Sequence, residues 1–167
     1  MEKTFLEIQQ AEEIREELMS KLQSSPLFFD LNRKDLNAIA GFSQFHRYAS
    51  GKTLVSEGDE HGSDLFLPMS GQLKISLKGV EGAGAEEVVL TPQQMRMFGE
   101  VACVLQRKRT ATVFCVSPVE AVVIDGRQLH DFMEGNPGPG YLILKNMFES
   151  LVERLRATNS LLRNGMS

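Results

Sequence analysis

The hydrophobic pattern changes twice along the chain. Toward both ends, apolar residues recur every three or four positions, as in amphipathic helices, whereas between about residues 44 and 124 they form short β-rich runs separated by Gly, Pro, Asp or Ser. This order of helices, strands and helices predicts an α+β fold. The many short strands predict an antiparallel β-roll (a double-stranded β-helix or jelly roll) flanked by N-terminal helices and a long C-terminal helix.

Two helices are predicted before the strands. The first covers about residues 4–23 and is stopped by the Ser-Ser-Pro sequence that ends at Pro26. Its apolar positions near one face are Phe5, Ile8, Ile14, Leu18 and Leu22. The second helix begins at Asn32, a residue type that caps helices, and ends at Gly41. Its apolar side is formed by Leu36, Ile39 and Ala40.

Six β-rich runs make up the central region. They are Phe45–Tyr48, Thr53–Val55, Leu73–Ser76, Val88–Leu90, Thr110–Val116 and Val119–Ile124. Pro68 interrupts the sequence LFLPMSG and indicates an edge strand or a bulge, because proline cannot donate a hydrogen bond to a sheet. The Gly-rich, charged segment Gly79–Glu87 predicts a flexible hairpin loop.

Two more helices are predicted after the strands. Gly126–Glu134 forms the first, NPGPG at 136–140 breaks it and is expected to act as a hinge, and the second runs from about Tyr141 to Arg163. A heptad seam follows this last helix through Leu144, Phe148, Leu151, Leu155, Thr158 and Leu162, and a second apolar stripe through Ile143, Met147 and Val152. The seam can pack on the sheet or on a partner helix. Because there are two stripes, we expect one to cover the domain and the other to form a homodimer.

Composition narrows the class of protein. The 167 residues fit an N-terminal helix over 1–25 followed by one domain over 26–167, which contains the roll (about 44–124) and a C-terminal hinge and helix (about 126–163). The formal charge of −4 gives no general attraction to nucleic acid or anionic lipid. The acidic N-terminus has no hydrophobic signal core, and no apolar run is long enough to cross a bilayer, so we expect a cytoplasmic protein without membrane contact. Cys103 and Cys115 lie between apolar residues and are expected to be buried free thiols.

The segment FGEVACVLQRKRTATV, residues 98–113, carries the candidate chemistry. Gly99 allows close backbone approach to a ligand, and a helical turn over Glu100–Leu105 would point free N–H groups at an anion. Arg109 follows the glycine by ten residues and would face that helix end with a planar, always charged guanidinium, which suits a phosphate. Glu100 would repel a phosphate, but it can accept hydrogen bonds from sugar hydroxyls beside one. Together these residues indicate a nucleotide site.

Each of these residues also has a simpler interpretation. Gly99 can be a plain turn, Glu100 a surface charge, and Arg109 one member of a solvated Arg-Lys-Arg cluster. The combination at this spacing favours the nucleotide site. We expect Arg107 and Lys108 to face solvent.

The segment resembles the phosphate-binding cassette of cyclic nucleotide-binding domains, in which FGE-[LV]-A is followed after the same ten-residue spacing by R-x-A-T-[VI]. Most of the chain from about residue 26 to 160 is similar to this family. PLFFDLNRKDLNAIA resembles the helix before its roll, EGDEHGSDLF and SGQLKIS resemble its Gly-Asp turn and a following strand, and VVIDGRQLHDFMEGNP resembles its hinge. The resemblance implies a β-roll that binds cAMP or cGMP.

The resemblance also implies which residues form the site. They are Phe98, Gly99, Glu100, Val101, Ala102, Arg109, Thr110 and Ala111. Arg109 would bind the exocyclic oxygen of the cyclic phosphate, and Glu100 would accept the ribose 2′-OH. Gly99 would give close backbone approach, and backbone N–H groups at 101–102 and 111 would complete the cradle. Thr110 resembles the residue of cGMP-preferring members, whose hydroxyl meets the guanine edge.

Three features depart from the family pattern. Lys108 stands where the family usually has a proline, and the glycine that normally precedes FGE is missing from TPQQMRMFGE. The segment between Gly58 and Gly71 is about one residue longer than usual, and Pro68 interrupts it. These changes can alter affinity or ligand choice, although the two charged anchors of the cassette are retained.

A sensor, rather than an enzyme, is the function that the sequence favours. It would relay occupancy by cAMP or cGMP through its C-terminal helix to an unknown downstream protein. The alternative is a degenerate roll that dimerises without binding nucleotide, and an unrelated small-anion enzyme is a third interpretation. The three histidines lie far apart and no Ser-His-Asp or metal-binding pattern occurs, so no metal or other cofactor is expected. The chain ends at Ser167 without room for a helix-turn-helix, so we expect either a stand-alone regulator or a piece of a larger protein, with the former favoured, and no DNA binding by this chain.

Overall fold

The helices and strands follow the predicted order. The computed structural model describes residues 5–78 and 86–165, and the side chains of 5–11, 86, 158 and 161–165 lie outside the described set. The first part of the chain comprises α1 (Phe5–Ser24), a 3₁₀ turn (Pro26–Phe28), α2 (Arg33–Ala40), β1 (Ser43–Tyr48), β2 (Thr53–Val55), β3 (Leu65–Ser70) and β4 (Leu73–Leu77). The second part comprises β5 (Glu86–Leu90), α3 (Glu100–Leu105), β6 (Thr112–Cys115), β7 (Val119–Ile124), α4 (Gly126–Gly135) and α5 (Pro137–Gly165).

Two antiparallel sheets form a β-roll. One has the strand order β1-β7-β3 and the other β2-β6-β4-β5, so that, apart from the β4-β5 pair, neighbouring strands are distant in sequence. Helices flank the sheets at both ends of the chain. The predicted α+β roll with N-terminal helices and a long C-terminal helix is therefore confirmed.

Strands β3 and β7 of the β1-β7-β3 sheet pack apolar side chains on both faces. In β3, Leu65 and Leu67 pack with residues of the helices, whereas Phe66 faces the other sheet. In β7, Val122 faces the helices and Ala121 the other sheet. Because neighbouring residues of a strand point to opposite faces, this alternation places one sheet between a helical layer and the second sheet.

The bounds of helix α1 agree with the prediction to within one residue, but only part of its predicted apolar face packs on the core. Leu18 and Leu22 are buried against the core, but Ile14 is 60% exposed, so its predicted place on the packed face is wrong. The packed face begins only where α1 meets α2 and β1, one turn further along the chain. The side chains of Phe5 and Ile8 lie outside the described residues.

The bounds, cap and apolar face of helix α2 are as predicted. The Asn32 side chain accepts a hydrogen bond from the Asp35 backbone N–H at 2.9 Å, which caps the helix start. Its predicted apolar residues, Leu36, Ile39 and Ala40, are all buried.

Several strand boundaries differ from the prediction, most clearly those of β5 and β6. Thr110 and Ala111 precede β6, which begins at Thr112, because the main chain at Arg109 is bonded to the 58–59 turn instead of to a neighbouring strand. Glu87 lies in β5 and not in a loop, while residues 79–85 lie outside the described part of the chain. The interpretation of Pro68 is confirmed in both respects, since β3 is an edge strand with a register shift between Pro68 and Ser70.

The predicted break at NPGPG is present but much shorter than expected. Helix α5 begins at Pro137 instead of about Tyr141, so only Asn136 separates it from α4. The first N–H groups of a helix have no intrahelical acceptor, so a proline in the first turn removes no hydrogen bond. The first hydrogen bond of the helix runs from Gly140 N–H to the Asn136 carbonyl at 2.9 Å.

The two predicted stripes of α5 have different surroundings. Ile143 and Met147 are buried in the core, as expected for the stripe that covers the domain. Leu144, Phe148 and Leu155 of the heptad seam are 42%, 66% and 60% exposed. In the described part of the chain, none of the helices is sufficiently long and apolar to span a membrane.

Candidate functional site

The candidate cassette is attached to the roll at Phe98. Its backbone exchanges two hydrogen bonds with Phe66 of β3, at 2.9 and 3.0 Å, and the two rings stack with centroids 4.6 Å apart. Both residues are buried. This pairing fixes the point at which the chain turns into α3.

Gly99 lies where no other residue fits without distortion. Its φ is +93°, in the left-handed region that favours glycine. A Cβ at this position would lie 2.4 Å from the Asp64 carbonyl oxygen and 2.6 Å from Arg109 Nη1. The absence of a side chain therefore lets the cassette backbone and the arginine approach each other.

Helix α3 has the predicted bounds, Glu100–Leu105. Its first hydrogen bond runs from Cys103 N–H to the Gly99 carbonyl at 3.0 Å. The N–H groups of Glu100, Val101 and Ala102 therefore precede the intrahelical bonding pattern and are available to a ligand. The side chain of Ala102 is buried, and that of Val101 is half-buried.

Arg109 is buried, with only 5% of its surface exposed. Its Nη1 donates to the Asp64 carbonyl at 2.8 Å, and its backbone is bonded on both sides to the 58–59 turn. Its guanidinium lies 5.8 Å from the Phe66 ring centroid. Among the described residues, Arg109 Nε is buried and has no hydrogen-bond partner.

Opposing effects act on the charge of Arg109. Burial lowers its pKa from the ordinary arginine value, while the nearby carboxylates of Asp64 and Asp59 oppose that change. An arginine with such support stays protonated at any physiological pH. The site therefore holds a buried cation with unused hydrogen-bonding capacity.

Glu100 is also buried, with its side chain 8% exposed. Its Oε1 accepts a hydrogen bond from Arg154 Nη2 of α5 in an ion pair. The Arg154 side chain is 37% exposed. A residue of the C-terminal helix thus reaches into the cassette, which the sequence did not indicate.

A cavity of about 670 Å³ brings these groups together. Its charged part includes Arg109, Glu100 and Arg154, and the cassette also contributes Phe98, Gly99, Thr110 and Ala111. Its apolar wall comes from the β2-β6-β4-β5 sheet and consists of Val55, Ile75, Leu77, Val88, Leu90 and Val113. Helix α5 closes another side with Ser150, Glu153, Arg154 and Ala157.

Six of the eight predicted site residues line this cavity: Phe98, Gly99, Glu100, Arg109, Thr110 and Ala111. The side chains of Val101 and Ala102 do not, so any role of theirs belongs to their backbone N–H groups. Arg107 and Lys108 are exposed, as expected.

Sequence reasoning missed the residues that support the site from elsewhere in the chain. The 58–64 segment holds Arg109 through Asp59 and Asp64, and a Cβ at Gly62 would come within 3.2 Å of the guanidinium. The charged, Gly-containing sequence EGDEHGSD was the available signal for this support. Nothing in the sequence near Arg154 links it to Glu100.

The two cysteines are free and buried, as expected. Burial raises the pKa of the Cys103 thiol to about 12 and also raises that of Cys115. Neither is therefore a thiolate near neutral pH. The described residues contain no group of His, Cys, Asp and Glu side chains that could hold a metal ion.

Comparison with known proteins agrees with this geometry. The family model described as the cyclic nucleotide-binding domain matches residues 45–136, more than half of the chain. Glutaminase 2 of Bradyrhizobium diazoefficiens is 28% identical over 139 residues, which cover 83% of this chain and 21% of that protein. The cGMP-dependent protein kinase isozyme 1 of Drosophila melanogaster is 30% identical over 105 residues, which cover 62% of this chain and 14% of the kinase.

Solved structures share the fold. The regulatory domain of Toxoplasma gondii PKA with cAMP matches with a TM-score of 0.70 at 18% identity, over 84% of this chain and 52% of that one. The chain spans only about a fifth of glutaminase 2 and a smaller part of the kinase. The resemblance found in the sequence is confirmed at the level of the family.

Proposed function

The chain belongs to the cyclic nucleotide-binding domain family, and we propose that its cavity binds a cyclic nucleoside monophosphate, cAMP or cGMP. The observation that carries the proposal is Arg109, a buried arginine whose Nε lacks a partner among the described residues. A buried cation with unsatisfied donors is costly unless an anion pairs with it. A cyclic phosphate supplies such an anion.

The phosphate would bind between Arg109 and the start of α3. The N–H groups of Glu100, Val101 and Ala102 lie outside the intrahelical pattern. The N–H of Ala111 would join them, in the role that the family resemblance implies. Oriented N–H groups and a guanidinium together favour a small anion.

The ribose would bind at Glu100. A carboxylate beside a phosphate site is unfavourable unless it accepts hydrogen bonds, and the 2′-OH of a ribose is a suitable donor. Gly99 would allow the sugar and the backbone to approach each other closely. A ligand with both a phosphate and a neighbouring hydroxyl is a nucleotide.

The base would lie against the apolar wall of the cavity. A volume of about 670 Å³ falls within the range of small-molecule pockets, about 300–1,000 Å³. Thr110 lines the same cavity, and its hydroxyl would favour guanine. The names of similar proteins include both cGMP and cAMP, so the choice of base is left to experiment.

Helix α5 would relay occupancy of the cavity to a partner. Ser150, Glu153, Arg154 and Ala157 of this helix line the cavity, so a bound nucleotide would contact it. A ligand shifts a conformational equilibrium only through contacts that differ between the states. The family consists of regulatory ligand-binding domains, and we infer a sensor rather than a catalyst.

A second copy of the chain is the partner that the exposed seam of α5 favours. Leu144, Phe148 and Leu155 lie at heptad spacing and are largely exposed. A second α5 helix with the same heptad stripe could bury these residues by coiled-coil packing.

Calorimetric titration of ligand-stripped protein with cAMP and with cGMP tests the proposal. We expect micromolar or tighter binding of at least one nucleotide, and loss of that binding in Arg109→Ala. Arg107→Ala is the matched control, because Arg107 is exposed two residues away and should bind as the wild type does. Arg109→Lys keeps the charge and shows whether the planar fork is required.

The absence of heat with either nucleotide, in folded protein shown to be free of carried-over ligand, would contradict the proposal. Equal binding by the Arg109→Ala and wild-type proteins would contradict the assigned site. The first result would favour the alternative function, a dimerising roll without nucleotide, for which the exposed seam of α5 is the supporting observation.

A further inference from the structure

We propose that Gln94 is a specificity-determining residue of the cavity, which donates a hydrogen bond to O6 of guanine and so favours cGMP over cAMP. The inference rests on the proposed function, because it concerns the base of the nucleotide that the cavity would bind. It goes further by choosing between the two bases and by assigning that choice to a residue outside the 98–113 cassette.

Gln94 lies in the turn that joins β5 to the cassette. Two backbone hydrogen bonds to the Thr91 carbonyl close this turn, from Gln94 N–H at 3.0 Å and from Met95 N–H at 2.9 Å. Met95 is 1% exposed and packs in the core with residues of both sheets. The turn is therefore anchored to the roll, and Gln94 lines the cavity from it.

The side-chain amide of Gln94 is held in one orientation. Its Oε1 accepts hydrogen bonds from the Thr91 backbone N–H at 2.9 Å and from Thr91 Oγ1 at 3.1 Å. A backbone N–H can only donate, so the atom that faces it is the amide oxygen and not the nitrogen. Nε2 keeps two N–H donors, for which the described part of the chain offers no acceptor. Gln94 is therefore a donor toward a ligand and not an acceptor.

The two bases differ at the edge that such a donor would meet. Guanine carries acceptors at N7 and O6, whereas adenine carries an acceptor at N7 and a donor at its 6-amino group. Nε2 can donate to O6 of guanine, but it would leave the 6-amino group of adenine without an acceptor. The fixed amide thus offers a hydrogen bond to one base and a mismatch to the other.

The position of Gln94 in the chain suits contact with a base. Strand β5 contributes Val88 and Leu90 to the apolar wall on which the base would lie, and the turn follows directly at Thr91. Arg109, which would hold the phosphate, lines the same cavity. A base that lies along this wall would therefore present an edge to the turn.

The side chains near Gln94 do not reverse its preference. Arg96 lines the same cavity and, like Nε2, can only donate. Glu153 is an acceptor on this rim, but its Oε2 pairs with Arg96 Nη1 at 3.5 Å. No hydrogen bond within the described residues holds the amide of Gln93, so that amide can rotate to suit either base.

Calorimetric titration with cGMP and cAMP tests the role of Gln94. Wild-type protein should bind cGMP more tightly, and Gln94→Ala should reduce the ratio of the two affinities by about 2- to 10-fold, the usual effect of one neutral hydrogen bond. Gln94→Glu keeps an oxygen for Thr91 but turns an acceptor toward the ligand, so it should shift the ratio toward cAMP by at least about 10-fold. Gln93→Glu adds the same charge at the neighbouring position and should leave the ratio unchanged.

Cyclic inosine monophosphate identifies the atom that Gln94 contacts. Hypoxanthine, the base of inosine, has the O6 of guanine but lacks the 2-amino group. Gln94→Glu should therefore weaken binding of cGMP and of cyclic inosine monophosphate by the same factor. An effect on cGMP alone would overturn the contact with O6.

The possible outcomes separate this inference from the proposed function. Equal affinity of the wild type for both nucleotides, a preference for cAMP, or an unchanged ratio in Gln94→Ala would overturn the inference. Loss of binding in Arg109→Ala would still support the proposed function in each of these cases. If wild-type protein binds neither nucleotide, the proposed function itself fails. Thermal unfolding of each variant verifies that it is folded.

Discussion

The two halves of α5 are held by different forces. In the first half, Ile143 is fully buried and Met147 is 3% exposed, and Asn146 donates to the carbonyls of Leu27 and Phe29 at 2.9 and 3.0 Å. In the second half, Leu155 is 60% exposed, and the link to the rest of the protein is made by Arg154 and its neighbours. The first half belongs to the core, and the second half borders the cavity.

This difference shows where a ligand can act. Complete burial of an aliphatic side chain contributes about 1.5–3 kcal/mol, and two such residues together with Asn146 fix the first half firmly. The described side chains of the second half contact the rest of the protein through ion pairs. Under the proposed function, a bound nucleotide would strengthen or replace these pairs and so move the second half while the first half stays in place.

The largest expected effect comes from shortening a buried side chain in the first half. Ile143→Ala should lower the free energy of unfolding by about 2–5 kcal/mol, because it removes apolar contacts and leaves a cavity. Leu155→Ala is the matched change in the second half and should cost about 0.5 kcal/mol or less in the monomer. Chemical denaturation at low protein concentration measures both. Similar losses at the two positions would show that the halves do not differ as described.

A smaller effect is expected from a charge on the exposed seam. Phe148→Glu should leave the fold intact but weaken self-association by at least about 10-fold, because a buried aromatic at a helix–helix contact would become charged. Sedimentation over a range of concentrations measures this change, and Ser160→Glu adds the same charge at an exposed position off the seam. A wild-type protein that stays monomeric at high concentration would refute the homodimer.

The smallest expected effect concerns the start of α4, which packs against the first half of α5. Asp125 Oδ1 accepts hydrogen bonds from the backbone N–H groups of Gln128 and Arg127, and Oδ2 accepts one from the Gln128 side chain. The bonds from Gln128 are the main reason why the pKa of Asp125 lies below the ordinary 3.8. Asp125→Ala should cost about 1 kcal/mol at neutral pH.

The pH dependence of this effect follows from the lowered pKa. The carboxylate stabilises the folded state at pH values above 3.8, and this contribution disappears as the pH falls through the lowered value. The difference between wild type and Asp125→Ala should therefore shrink in acid, as measured by denaturation at pH 7 and pH 2.5. Asp131→Ala removes an exposed carboxylate of the same helix and is the matched control, which should leave stability at pH 7 nearly unchanged.

Local chemistry explains which parts of the fold were predictable. The Asn32 side chain caps α2 by accepting a hydrogen bond from the N–H of a residue three positions away. Pro68 has no backbone N–H to donate to a neighbouring strand, whatever its surroundings. Such effects depend on neighbours in the chain, so the sequence reveals them. NPGPG was misread because proline and glycine disfavour the interior of a helix, yet Pro137 occupies a first turn, where a missing N–H costs nothing.

The candidate site also has one part that the sequence predicts and another part that it does not. The spacing from Gly99 to Arg109 lies within one short segment, so the sequence by itself determined the cassette and the family, whereas the left-handed φ of Gly99 emerged from the structure. Only the tertiary structure decided that Arg109 is buried against the 58–64 segment and that Arg154 pairs with Glu100. The physical reason is that burial and ion pairing depend on which distant surfaces meet, and the position of α5 over the cavity is set by packing of the whole core.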